Sequence, residues 1–160
     1  MLDSPAYRTA LANQTGWSRK TISGFRNMIR AVARITASRG QGRGAALGIV
    51  RLRLFADGEE GLRAVLREKL DPRQLDGIIS MHLIESDPAL SKPITDDPLV
   101  PNPGSGDWYV LIDGTHIDAI SATLTTHFAA AAFTSATVIS TGVYNLMWDL
   151  AKSDIPPSHT

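Results

Sequence analysis

"GIISMHLIES", residues 77–86, is a short apolar run with a histidine at its centre. Its length, its β-branched content and the Gly77 that opens it predict a strand rather than a helix. Ile79, Met81 and Leu83 then share one face, and Ile78, Ser80, His82 and Ile84 the other. A strand with apolar residues on both sides is covered on both sides, and His82 is placed on one of them.

The segments around this strand repeat one order. Upstream, "LGIVRLRLF" (47–55) predicts a strand with Gly48, Val50, Leu52 and Leu54 on one side and Leu47, Ile49, Arg51, Arg53 and Phe55 on the other. After "ADGEEG", the spacing of Leu62, Val65, Leu66 and Leu70 predicts a helix that Pro72 ends. Downstream, "DWYVLIDG" (107–114) predicts a third strand, and Thr115 with Asp118 predicts the cap of a helix carrying Ile117, Ile120, Leu124 and Phe128. A fourth strand is predicted over 142–148, with Val143, Asn145 and Met147 on one face and Tyr144, Leu146 and Trp148 on the other. Between the second and third strands, residues 86–107 hold Pro88, Pro93, Pro98, Pro101 and Pro103, five of the chain's nine prolines. This is a long loop of the kind that covers a site or a subunit joint.

Strand, helix, strand, loop, strand, helix, strand, with right-handed crossovers, gives an α+β domain: a ferredoxin-like four-stranded antiparallel sheet with two helices on one face. The other face would carry Leu47, Ile49, Phe55, Ile78, Ile84, Val143 and Met147, too much apolar surface to stay wet. Two such sheets packed face to face would bury it in a homodimer. In "IVRLRLF", "GIISMHLIES", "DWYVLIDG" and "VYNLMWD", taken in that order over about 47–150, the chain resembles the dimeric α/β barrel superfamily. That resemblance implies a two-subunit barrel. The superfamily includes cofactor-independent monooxygenases, lactone isomerases, haem-binding proteins and stress-response proteins, so the likeness transfers architecture and not activity.

The remaining residues divide the chain. Residues 1–17 are expected to be a flexible N-terminus, 18–46 a basic amphipathic helix with a glycine-rich link, 47–150 the ferredoxin-like domain and 151–160 a C-terminal tail. The helix is read over 18–38 from an N-cap at Ser18 and a stripe of Ile22, Phe25, Ile29, Val32 and Ile35, with Arg26, Arg30 and Arg34 as a second stripe. Residues 1–43 hold eight Lys or Arg against one acid, Asp3, and the whole chain is neutral. A basic arm on an acidic body is expected to dock on that body or on a partner subunit, which argues against nucleic acid as its partner.

Composition narrows the function classes. With 43% hydrophobic and 20% charged residues the chain reads as a soluble, cytoplasmic domain. It has no cysteine, hence no disulfide, thiolate metal site or cysteine nucleophile. Residues 119–148 lack Asp, Glu, Lys and Arg, long enough for a bilayer, but nine Ser or Thr residues and a change of period predict a helix followed by a buried strand. No metal-ligand spacing appears, and "GQGRG" (40–44) precedes a strand, which argues against a phosphate cradle.

Strand alternation gathers polar groups on the apolar face. His82 and Arg53 are the candidate catalytic residues, the former as general acid or base because the unperturbed pKa of an imidazole lies near neutrality. Arg51, Ser80, Trp108 and Asn145 are the candidate ligand-binding residues, Arg51 or Arg53 for a carboxylate or phenolate, Ser80 and Asn145 to orient it. The expected function is small-molecule binding, either by a monooxygenase-like or isomerase-like enzyme working without a cofactor, or by a non-catalytic structural dimer whose polar groups set assembly. A haem-binding barrel, with His82, His116 or His127 as axial ligand, is the further alternative.

Overall fold

The computed structural model describes residues 4–26, 31–88, 90, 91, 106–129 and 133–148. In chain order the elements are α1 (Pro5–Ala12), α2 (Gly16–Ser23), β1 (Ala33–Gly40), β2 (Ala46–Leu54), α3 (Glu59–Lys69), a 3-10 turn (Pro72–Gln74), β3 (Ile78–Ser86), β4 (Trp108–Gly114), α4 (Ile117–His127) and β5 (Ala136–Asn145). The strands form one open antiparallel sheet in the order β1-β3-β4-β2-β5. Both β2 and β3 run antiparallel to β4, and both β4 and β5 run antiparallel to β2, so α3 and α4 each cross over a strand of the other half. This is an α+β fold compatible with a ferredoxin-like class, with five strands where four were expected.

The helices cover one face. Val50 and Leu52 of β2, Met81 and Leu83 of β3, and Trp108, Val110 and Ile112 of β4 form a single core with Leu62 and Leu66 of α3 and Ile120 and Leu124 of α4. These are the positions that alternation puts on one side of each strand. The contact of α4 with the sheet is close because glycine permits it. A Cβ on Gly48 would lie 2.7 Å from Ile120 Cγ2, and one on Gly114 2.7 Å from Ile120 Cδ1. Ile120 fills the space that the two missing side chains leave.

The other face carries Leu47, Ile49, Ile84, Tyr109 and Leu111, all half-buried, and Ile35, which is 64% exposed. Two bulges change which residues reach it. Pairing slips between Ile78 and Ser80, so Ile78 turns into the core instead of lying beside His82. A second slip between Val138 and Ser140 shifts β5 against β2.

The predicted helix over 18–38 is not formed as one element. Helix α2 ends at Gly24, and its N-cap is Thr15, whose side chain accepts from the Ser18 backbone N–H at 3.1 Å. Residues 33–40 instead form β1, which pairs with β3 from Ala33↔Ser86 to Gly40↔Ser80. The sequence there holds Ile35 and Thr36, β-branched residues that fit a strand, and the edge of β3 supplies the backbone partners that a helix would have supplied internally. The stripe of Arg26, Arg30 and Arg34 therefore does not exist as a helix face. Arg34 lies on β1 and Arg30 is outside the described residues. The expected flexible N-terminus, 1–17, contains α1 and the start of α2.

The fourth predicted strand begins earlier than expected, at Ala136, and ends at Asn145. Helix α4 starts from His116 rather than Thr115, whose hydroxyl donates to the Gly77 carbonyl at 3.2 Å. Within the uncharged stretch 119–148, α4 is followed by β5, but β5 is an edge strand and largely exposed, not the buried strand expected. No described helix is long and apolar enough to cross a membrane. Most of the long loop, residues 92–105, lies outside the described residues, as does the tail 151–160.

Candidate functional site

The site residues read from the sequence fall on both faces of the sheet. His82, Ser80, Arg51 and Arg53 share the open face of the sheet. Trp108 does not. It is 4% exposed in the core, under the Arg63 guanidinium, which sits 5.0 Å from the ring centre. Tyr109 is the aromatic residue of β4 on the open face, paired between Arg51 and Ile84. Asn145 pairs with the buried Ala46 and so projects toward the helix side of the sheet, as does Val143 opposite Gly48. Both were expected beside His82. The earlier start of β5 and the register set by β2 turn them to the other side.

The open face has two polar ends with an apolar middle. One end is built on Asp107, whose side chain is 3% exposed. Arg51 Nε donates to its Oδ2 at 2.5 Å, and Arg53 donates from Nε to Oδ1 at 2.9 Å and from Nη2 to Oδ2 at 3.1 Å. The Ser86 hydroxyl donates to the Asp107 backbone carbonyl. The shared carboxylate raises the Arg53 pKa, first through the hydrogen bond and then through its charge. Burial pushes the neighbouring Tyr109 phenol up, and Asp107 adds to this. Arg53, expected as a catalytic group, is thus half of a fork on a buried acid. Arg51, expected as a ligand anchor, is the other half, with its side chain 12% exposed.

The same end of the sheet is clamped on its covered face. Arg63 of α3 holds Glu85 of β3 through Nη2 at 2.7 Å and Nε at 2.9 Å, and Thr36 of β1 donates to Glu85 at 2.8 Å. The Arg63 hydrogen bond holds the Glu85 carboxyl below the usual carboxylate range, and Glu85 raises Arg63 in return. A cleft of ≈ 570 Å³ opens beside it, lined among others by Phe55, Glu59, Arg63, Ser86 and Trp108.

The other end is built on His82. Its Nδ1 lies 2.7 Å from Ser38 Oγ across the β1–β3 ladder. Its Nε2 lies 3.3 Å from Ser80 Oγ and 4.0 Å from Asp113 Oδ2. Ser80 Oγ in turn lies 3.2 Å from Asp113 Oδ2 and 3.2 Å from the Gly42 carbonyl oxygen. The Ser80 hydroxyl has one hydrogen for the Asp113 carboxylate, the Gly42 carbonyl and Nε2, and donates it to one of the three. When Ser80 donates to Asp113 or Gly42, Nε2 carries the ring proton and Nδ1 accepts from the Ser38 hydroxyl; in the other tautomer both roles reverse. Between the two ends, Leu111 lies opposite His82 on one side and Ile49 on the other.

Sequence reasoning missed Ser38, Asp107 and Asp113. The two acids were legible: 107, 109, 111 and 113 alternate onto the face that carries Tyr109, and only the choice of inward aromatic hid them. Ser38 was hidden by the helix reading of its segment. The other histidines are placed apart from this face. His116 is exposed, with Nδ1 2.7 Å from Thr115 Oγ1, and His127 is in the last turn of α4. Among the described residues, no group of three His, Cys, Asp or Glu is arranged to hold a metal ion. No family model matches the chain, and no curated protein matches its sequence.

Proposed function

We propose that the chain is a small-molecule-binding protein of the dimeric α/β barrel kind. Two copies of the ferredoxin-like unit β2-α3-β3-β4-α4-β5 pack open face against open face, with β1 added at the edge. The observation that carries this reading is the composition of the open face. Leu47, Ile49, Ile84 and Leu111 lie together in the apolar middle of that face, and the His82 group sits at its margin. A hydrogen-bonded imidazole beside an apolar patch is the usual make-up of a pocket for a small, partly apolar ligand. His82 and Ser80 are its polar contacts, and Tyr109 replaces Trp108 as the aromatic wall.

A second reading, a non-catalytic dimer whose polar groups set assembly, is favoured by the Arg51–Asp107–Arg53 fork. Those charges satisfy one another within one chain and need no ligand. Native mass spectrometry of protein purified from its own host separates the two. A dimer carrying an extra mass that leaves on denaturation supports the binding protein. A dimer of bare mass moves the balance to the structural reading, and a monomer overturns the barrel.

A further inference from the structure

We propose that Ser38 is a nucleophile, that His82 is its general base, and that the chain transfers the acyl group of a small ester or activated acyl compound. The proposal goes beyond the preceding reading and rests on it only in placing the chemistry on the same face.

The geometry has the order such a reaction needs: a hydroxyl on a base, the base on an orienting group, and an open approach. Ser38 Oγ is 2.7 Å from His82 Nδ1, within hydrogen-bond reach for proton transfer. In the tautomer the reaction uses, Nε2 donates the ring proton to Ser80, whose own hydrogen goes to Asp113. In that tautomer the nitrogen facing Ser38 is the unprotonated one, as a base must be. Asp113 is a positioning residue, since its Oδ2 stands 4.0 Å from Nε2 and acts through Ser80. Ser38 itself is exposed on β1, the outermost strand on that side of the sheet, while His82 and Asp113 are largely covered. The turn after Ser38 is pressed against β3. Gly40 has φ +74°, and a Cβ there would lie 2.1 Å from the Ile79 carbonyl oxygen. The carbonyl oxygen of Gly42 in the same turn lies 3.2 Å from Ser80 Oγ, so the turn packs against the relay.

The reaction closes without a cofactor. Ser38 Oγ attacks the acyl carbon as its proton passes to His82 Nδ1. The bond from that carbon to the leaving alcohol breaks, and the alcohol oxygen takes the proton from Nδ1. Water then attacks the Ser38 ester and gives its proton to Nδ1. Ser38 Oγ departs with that proton, releasing the carboxylic acid.

The test is labelling of the full chain with an alkyl fluorophosphonate, followed by peptide mass mapping. The expected result is one adduct, on Ser38, lost in Ser38→Ala and formed at least about a hundredfold more slowly in His82→Gln. Asp113→Asn should slow labelling and, by 15N NMR, deplete the Nε2–H tautomer of His82, a signature that a merely structural carboxylate would not move. No adduct, an adduct elsewhere, or equal rates in wild type and His82→Gln would overturn the proposal. Native mass spectrometry on the same samples separates the two claims. A labelled monomer supports the nucleophile and ends the barrel. A dimer that takes no label ends the nucleophile and leaves the barrel standing.

Discussion

The two polar ends of the open face solve the burial of polar atoms in opposite ways. At the Asp107 end, one buried carboxylate is shared by two arginines, and formal charges meet formal charges at 2.5–3.1 Å. At the His82 end, the links are hydroxyls, an imidazole and a single acid at longer range, and the chain of hydrogen bonds runs out to an exposed serine. An ion fork of the first kind holds geometry and has no proton to give at neutral pH, because a guanidinium does not deprotonate. A chain of the second kind has a movable proton at each link. The arginines look like the chemistry when only the sequence is read, and the structure pairs both of them with the buried Asp107.

The comparison predicts where substitutions hurt. Asp107→Ala strips Arg51 of the carboxylate it pairs with inside the sheet, and should cost about 3–5 kcal/mol in a urea unfolding series, since breaking one side of a buried pair is far more expensive than the pair's net worth. A loss below about 1 kcal/mol would mean that the fork is not structural. Gly48→Ala tests the covered face under the same strands. Its Cβ would press on Ile120, and about 1–3 kcal/mol of overpacking should appear. At the His82 end, Ser38→Ala should change stability by no more than about 0.5 kcal/mol, because the residue is exposed. A large loss there would make the relay another structural clamp.

Acid should find the charged end as well. The Glu85 carboxyl has a folded pKa below its unfolded value, chiefly because of Arg63. A depressed carboxyl pKa contributes stability above the unfolded value, near 4.5, and that contribution is lost as pH falls through the folded value. The thermal midpoint of wild type should therefore drop on acidification below about pH 5 by more than that of Glu85→Gln. Parallel curves for the two proteins would show that the Arg63–Glu85 pair is not what acid breaks.

Much of this fold was legible as alternation. The inward row of β2 follows from period two, but β4 is apolar on both sides and its pattern left Trp108 on the wrong face. What alternation cannot carry is register across a bulge. The slip between Ile78 and Ser80 moved Ile78 into the core while leaving Ser80 and His82 where the pattern put them. Asn145 was misplaced for a related reason: an uncharged strand rich in Ser and Thr has no strong apolar row to fix its start or its face. The largest miss, β1, arose because Ile22, Phe25, Ile29, Val32 and Ile35 satisfy helical spacing locally. The free edge of β3 is a long-range partner, and local pattern does not contain it. Ser38 was lost with it.

The open face as a buried working surface can be tested through a single introduced thiol, because the chain has no cysteine of its own. Leu111→Cys puts the thiol at the centre of that face, and Ala122→Cys puts one on the exposed side of α4 as the reference. Alkylation with iodoacetamide should be much slower at position 111 than at 122, and should speed up on dilution as two copies separate. Equal rates at every protein concentration would contradict the barrel, and would leave His82 and Ser38 on a face open to water.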